Sequence, residues 1–233
     1  MDLKNNMDKV LNFIKNNIII IIYSLIELVI CILLLLNTVN KEYILDYSLI
    51  IINFIMSVII YVLFKNKFNM YIMLGMFFTC LADYNLIVLG ENREIGVLFF
   101  TFAQISYMFA LRINKKELLI RLIIITVLEV ASLIICKDLY SFLVFITMMY
   151  LGLFIANIIF GFIKKINIIF LIGMISYLLC DICVGVSGFE LFDGTQIAVI
   201  LGNLIYYFYL PGLFLMIIGT YIKSKKAKIC KNI

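Results

Sequence analysis

The chain contains no histidine. Imidazole-based metal sites and Ser-His-Asp triads are therefore excluded. Charged residues occupy only 14% of the 233 positions, hydrophobic residues occupy 65%, and the mean hydropathy is +1.16. No water-soluble domain of this length is so poor in charge. With a single proline to break them, apolar runs near twenty residues follow one another along the whole chain, as in a polytopic helical membrane protein. The alternation of apolar and polar residues that marks a membrane β-barrel is missing. No small-residue cleavage motif follows the first apolar run, 18–36, so it reads as a retained span and not as a removed signal peptide. Of the six cysteines, Cys180 and Cys183 alone form a CxxC, in mid-span and without a second pair. Cysteines so placed act as small apolar residues. No metal and no cofactor is expected.

The expected fold is all-α, a single transmembrane domain over 1–233. Eight spans fall near 18–36, 44–64, 70–90, 95–112, 118–136, 140–162, 166–188 and 197–222. The polar residues 1–17 read as a solvated leader. Sixteen of the nineteen Lys and Arg residues fall on one side of this arrangement; Lys41, Arg93 and Lys137 alone fall on the other. That bias puts both termini in the cytoplasm, which requires an even number of spans. The expected location is a bacterial plasma membrane. The basic tail, Lys223 to Lys231, reads as a topological anchor with some affinity for anionic lipid, and no nucleic-acid partner is expected.

Two aspartates lie deep inside these apolar segments with matching neighbours. Gly75-Met76, Asp83 and Gly90 recur as Gly173-Met174, Asp181 and Gly188 with the same spacing. A carboxylate at such depth costs roughly 2.5 to 3.5 kcal/mol on insertion scales, so it has a task or a partner. By residue count both lie about 10 Å below the non-cytoplasmic interface. Thr79 and Tyr177 each precede an aspartate by one helical turn, and Gly185 and Gly188 would permit close approach on a similar face.

The match extends further. Gln104-x-x-Tyr107 pairs with Asn203-x-x-Tyr206, and Ser24-x-x-Glu27 with Thr126-x-x-Glu129, at similar offsets. These point to a duplication, with halves at 18–112 and 118–222. Four spans per half give parallel repeats about an axis along the membrane normal. Glu27 and Glu129 have Ser24 and Thr126 as local partners. Asp83 and Asp181 would converge at one depth, where two carboxyls can divide the duties of acid and base. Such a pair suits hydrolysis of a lipid, and it suits proton-coupled transport. Each aspartate could equally serve only as a hydrogen-bond partner between helices.

Leu81-Ala82-Asp83, Phe102-Ala103-Gln104-Ile105-Ser106-Tyr107, Leu179-Cys180-Asp181 and Tyr206-Tyr207, within 75–112 and 173–219, resemble the YhhN family of membrane lysoplasmalogenases. This chain has Ala82, Gln104 and Cys180 where the family carries Gly, His and Ser. The resemblance implies eight spans and cleavage of the vinyl ether bond of a lysophospholipid to a fatty aldehyde and a glycerophospho-base. It implies Asp83 and Asp181 as the acid/base pair, with Gln104, Tyr107, Tyr206 and Tyr207 contacting substrate or water; Tyr177, one turn before Asp181, joins them as a substrate-binding candidate by its spacing. The rival expectations are a small transporter with intramembrane carboxylates and a relative that keeps the fold without the reaction. The oligomeric state is not legible.

Overall fold

The computed structural model describes residues 2–36, 43–90, 92–135, 137, 140–187 and 195–231. Eight helices account for nearly all of them: α1 (Asp2–Leu36), α2 (Tyr43–Phe64), α3 (Lys67–Asp83), α4 (Arg93–Ala110), α5 (Lys115–Ile135), α6 (Phe142–Ile163), α7 (Ile168–Ser187) and α8 (Gln196–Lys231). No strand occurs among the described residues. In an apolar solvent only intrasegment hydrogen bonding satisfies such backbones. Polar residues mark the boundaries: Asn66 Oδ1 accepts from Asn69 N at 2.9 Å to start α3, and Ser141 Oγ accepts from Val144 N at 3.4 Å to start α6.

Among the described residues, seven helices are long and apolar enough to cross a membrane. The exception is α4. It opens with Arg93 and Glu94 and buries Thr101, Gln104, Ser106 and Tyr107, so its polar groups face neighbouring helices. Two termini also depart from the sequence reading. Helix α1 starts at Asp2, so the leader continues the first span as helix, and α8 runs through the basic tail to Lys231.

Contacts fix the helix directions. Gly75 lies against Tyr107 and Gly96 against Leu86, so α3 and α4 run antiparallel. Gly173 meets Met216 while Gly219 meets Phe170, so α7 and α8 do too. Helix α4 runs parallel beside α6, from Phe100 on Tyr150 to Lys164 Nζ on the Leu111 carbonyl at 2.6 Å. Helix α8 stands beside α2 at Phe64 and Tyr221. The turns after α2, α4 and α6 each contain a cationic residue with positive φ: Lys65 (43°), Arg112 (53°) and Lys165 (50°). A non-glycine residue there costs about 1 to 2 kcal/mol, and each turn accepts it to reverse the chain within a few residues. These turns and the start of the α8 tail gather at one end of the bundle, hereafter the basic end.

The core is a band of Met, Ile, Phe and Tyr side chains from α2, α3, α4, α6, α7 and α8. The outside is apolar as well: Ile135 is 79% exposed, Ile134 74% and Val199 66%. A surface of this kind needs lipid around it.

Candidate functional site

Asp83 closes the regular part of α3, about 24 Å from the basic end at 1.5 Å per residue. Asp181 stands in α7, about 20 Å from that end. Beyond Asp83 the helix widens into a π-helical stretch, Tyr84–Leu89, and stops at Gly90, whose φ is 64°. Stretches of π-helix are rare and are frequent at functional sites.

Each carboxyl has a phenol partner. Tyr209 of α8 donates to Asp83 Oδ2, and Tyr150 of α6 donates to Asp181 Oδ2. The first bond joins helices far apart in sequence, and the second joins consecutive ones. The rings between them form a continuous wall: Tyr209 packs edge-on against Tyr177 at 5.6 Å, Tyr177 against Phe154 at 5.5 Å, and Phe154 against Tyr150 at 5.8 Å. Phe100 of α4 closes the back, 5.8 Å from Tyr150 and 6.2 Å from Tyr177. All three tyrosines lie within electrostatic reach of both carboxyls, and the carboxyls of each other. The Tyr177 hydroxyl is buried and, among the described residues, spends its proton on no protein acceptor; the buried Tyr107 hydroxyl and Thr79 Oγ1 interact with each other. Two carboxyls and an unspent phenol so placed can deliver a proton, hold a developing cation and orient a water molecule.

The other candidate residues divide. Tyr107 is 1% exposed and lies within electrostatic reach of Asp83. Gln104 is 1% exposed but is engaged elsewhere: its backbone oxygen and Oε1 accept from Asn157 Nδ2 at 2.8 and 3.0 Å. Asn157 Oδ1 in turn accepts from Arg121 Nη1 at 2.6 Å. Tyr206 and Tyr207 are 40% and 61% exposed on the outside of α8, because the face of α8 that turns inward here carries Tyr209 instead. Asn203 is exposed too, so Asn203-x-x-Tyr206 and Gln104-x-x-Tyr107 stand in unlike surroundings. Gly185 has open space beside it, not a packed helix. Gly188 lies outside the described residues.

Glu27 has a different partner from the one its sequence neighbours suggest. Ser24 Oγ donates to its own helix at Ile20 O, 2.8 Å away. Glu27 Oε1 accepts instead from Asn53 Nδ2 of α2 at 2.8 Å, and Asn53 Oδ1 accepts from the Tyr23 hydroxyl at 2.7 Å. Glu129 Oε2 accepts from Tyr140 at 3.0 Å. These two glutamates tie α1 to α2 and α5 to the stretch before α6.

Tyr150, Tyr209, Asn157 and Arg121 escaped the sequence reading. Tyr209 had a signal, since it lies near Pro211 in an aromatic run. Tyr150 sits in an unbroken apolar segment and had none. No group of three or more acidic or cysteine ligands that could hold a metal occurs among the described residues. No family model, curated protein or solved structure matches the chain.

Proposed function

We propose that this chain is a membrane-embedded hydrolase that cleaves the vinyl ether bond of a lysoplasmalogen-type lipid by carboxylate acid/base catalysis. One observation carries the reading: Asp83 and Asp181, each held by a tyrosine from another helix, share one aromatic-walled site inside an apolar bundle. The resemblance at Asp83, Tyr107 and Asp181 supplies the substrate class. In this reaction one carboxyl protonates the enol ether carbon, giving an oxocarbenium ion. The other carboxylate stabilises that cation and takes a proton from the attacking water. The hemiacetal formed collapses to aldehyde and glycerol hydroxyl, so the sum is substrate plus water. Tyr177 and Tyr107 orient the water or the glycerol oxygen. The lipid enters from the bilayer, and neither metal nor nucleophile takes part.

The reading includes eight spans, α4 among them, with both termini cytoplasmic and a four-plus-four parallel duplication. The antiparallel pairs α3/α4 and α7/α8, together with α4 beside α6 and α8 beside α2, support that duplication. A bacterial plasma membrane is the proposed location. The test is incubation of the purified protein with a lysoplasmalogen and with its alkyl ether analogue. Free aldehyde from the first and none from the second is expected. No aldehyde from either, with a folded protein, refutes the hydrolase reading.

A further inference from the structure

At the basic end, remote from the aspartates, a cavity of about 580 Å³ opens between the α2–α3 turn, the end of α4, the α6–α7 turn and the tail of α8. Five of its lining residues are cationic: Lys67, Arg112, Lys164, Lys223 and Lys228. None is acidic. The nearby acid Glu117 is engaged by Lys164 Nζ at 2.6 Å, and that ammonium also bonds the Leu111 and Arg112 carbonyls. Lys164 is thereby spent. Lys223 Nζ lies 3.3 Å from the Phe68 ring centroid and Lys228 Nζ 5.9 Å from that of Phe64. Lys67 and Arg112 have no ion-pair partner among the described residues.

Asn69 stands next to the cavity, bonded to one of its lining residues but not itself lining it. Ser224, a lining residue, donates to Asn69 Oδ1 at 2.7 Å. That bond orients the Asn69 carboxamide, and Asn69 Nδ2 is buried without an acceptor. Asn69 is 1% exposed. A buried amide donor with nothing to donate to is costly. Leu63, Phe64, Phe68 and Ile166 supply apolar walls beside the cations. Unpaired cations and apolar walls at the rim of a lipid-coated bundle describe a receptor for a phosphate that carries acyl chains.

We infer that this cavity binds the phosphate headgroup of an anionic membrane phospholipid, as a site separate from the aspartate pair. The lipid phosphate accepts from Lys67 and Arg112, and its chains lie along the apolar outer face. The site does not depend on the hydrolase reading.

The test uses the full-length protein in phosphatidylcholine nanodiscs and in nanodiscs containing one-fifth phosphatidylglycerol, with thermal unfolding and native mass spectrometry as readouts. Phosphatidylglycerol is expected to raise the unfolding temperature and to remain bound in the mass spectrum. Lys67→Gln and Arg112→Gln alter exposed side chains. Each is expected to weaken apparent lipid affinity about five-fold, and the two together about twenty-five-fold. Lys226→Gln removes an equal charge from the tail outside the cavity and is expected to have little effect. An equal loss for Lys226→Gln, or no bound lipid on the wild type, overturns the site. A full stabilisation by inorganic phosphate or glycerol phosphate in phosphatidylcholine alone overturns the lipid as its ligand.

Discussion

Tyr209→Phe is the most informative change at the candidate site. It deletes one oxygen from a half-buried ring and leaves the edge-on packing against Tyr177, 5.6 Å between centroids, in place. What it removes is the donor to Asp83 Oδ2. A hydrogen bond to a charged acceptor is worth about 1.5 to 3 kcal/mol. At about 1.4 kcal/mol per factor of ten, the aldehyde-release rate is expected to fall roughly ten- to a hundred-fold. Asp83→Asn, which removes the titrating group itself, is expected to cost about 10² to 10⁴. Without the tyrosine donor the limb of the pH–rate profile that belongs to Asp83 is expected to move. If that is the alkaline limb, Asp83 is the general acid; if the acid limb, it is the base. The assay is aldehyde release across pH from detergent-solubilised protein, with thermal unfolding as the folding control. An unchanged profile and rate in Tyr209→Phe, together with a near-normal rate in Asp83→Asn, would refute catalysis by this carboxyl.

Asp181→Asn is expected to lose as much activity as Asp83→Asn, and the double variant little more, because residues acting as one unit are not additive; a product of the two losses would count against a shared step. Chelators are expected to leave aldehyde release unchanged, and a loss that zinc restores would contradict the mechanism. Gly173→Ala should destabilise by about 1 to 3 kcal/mol: the new methyl would stand 2.6 Å from Met216 N and 2.7 Å from Gly212 O, which cannot swing aside. Gly185→Ala, with nothing nearby, should be neutral, and equal unfolding of the two in a denaturant titration would discredit the α7–α8 packing. Reporter fusions at Lys4 and after Lys231 should both read cytoplasmic, and a tail found outside would remove one span and the parallel duplication with it.

What could be read from the sequence follows from how membrane helices are encoded. Hydropathy and length decide a span, so eight were read from the apolar runs. Helix α4, read as the span 95–112, falls short of the others in the structure, because Thr101, Gln104, Ser106 and Tyr107 lower its hydropathy while being buried. The inward side of a helix is poorly encoded when its outside is equally apolar. Tyr206, Tyr207 and Tyr209 are the same residue type within one turn, and Tyr209 is the one that faces inward to bond Asp83. The aspartates stood out because charge is expensive at that depth. Their partners did not, since a tyrosine in an apolar run is ordinary until another helix brings a carboxyl to it. Arg121 shows the same limit: by spacing it belonged with the topological cations, yet it is 0% exposed, stacks over Phe160 at 4.8 Å and bonds Asn157.

The two carboxyl–tyrosine pairs are built differently, and the difference bears on which could move. Asp181 and Tyr150 both stand on regular helix, in α7 and α6. Asp83 and Tyr209 both stand at breaks. Asp83 borders the π-helical stretch of α3, and Tyr209 lies two residues before Pro211 inside α8. Proline withholds a backbone N–H and crowds the preceding turn. Close by, the Phe208 carbonyl accepts from Ser176 Oγ of α7 at 2.8 Å, a bond between helices rather than within one. A π-helical stretch and a proline both loosen the ladder that keeps a helix stiff. The Asp83–Tyr209 pair therefore sits where two helices yield most easily, while the Asp181–Tyr150 pair is anchored. A duplication that began with equivalent halves would have diverged here. Substituting Pro211 by Ala restores the missing N–H and should straighten α8. The Asp83–Tyr209 contact then has to stretch, while Asp181–Tyr150 stays. Double electron–electron resonance between labels on α3 and α8, and between labels on α6 and α7, separates the two. A changed distance for the first pair with an unchanged second is expected; equal changes in both, or none in the first, would show that the breaks do not set the flexibility of the site.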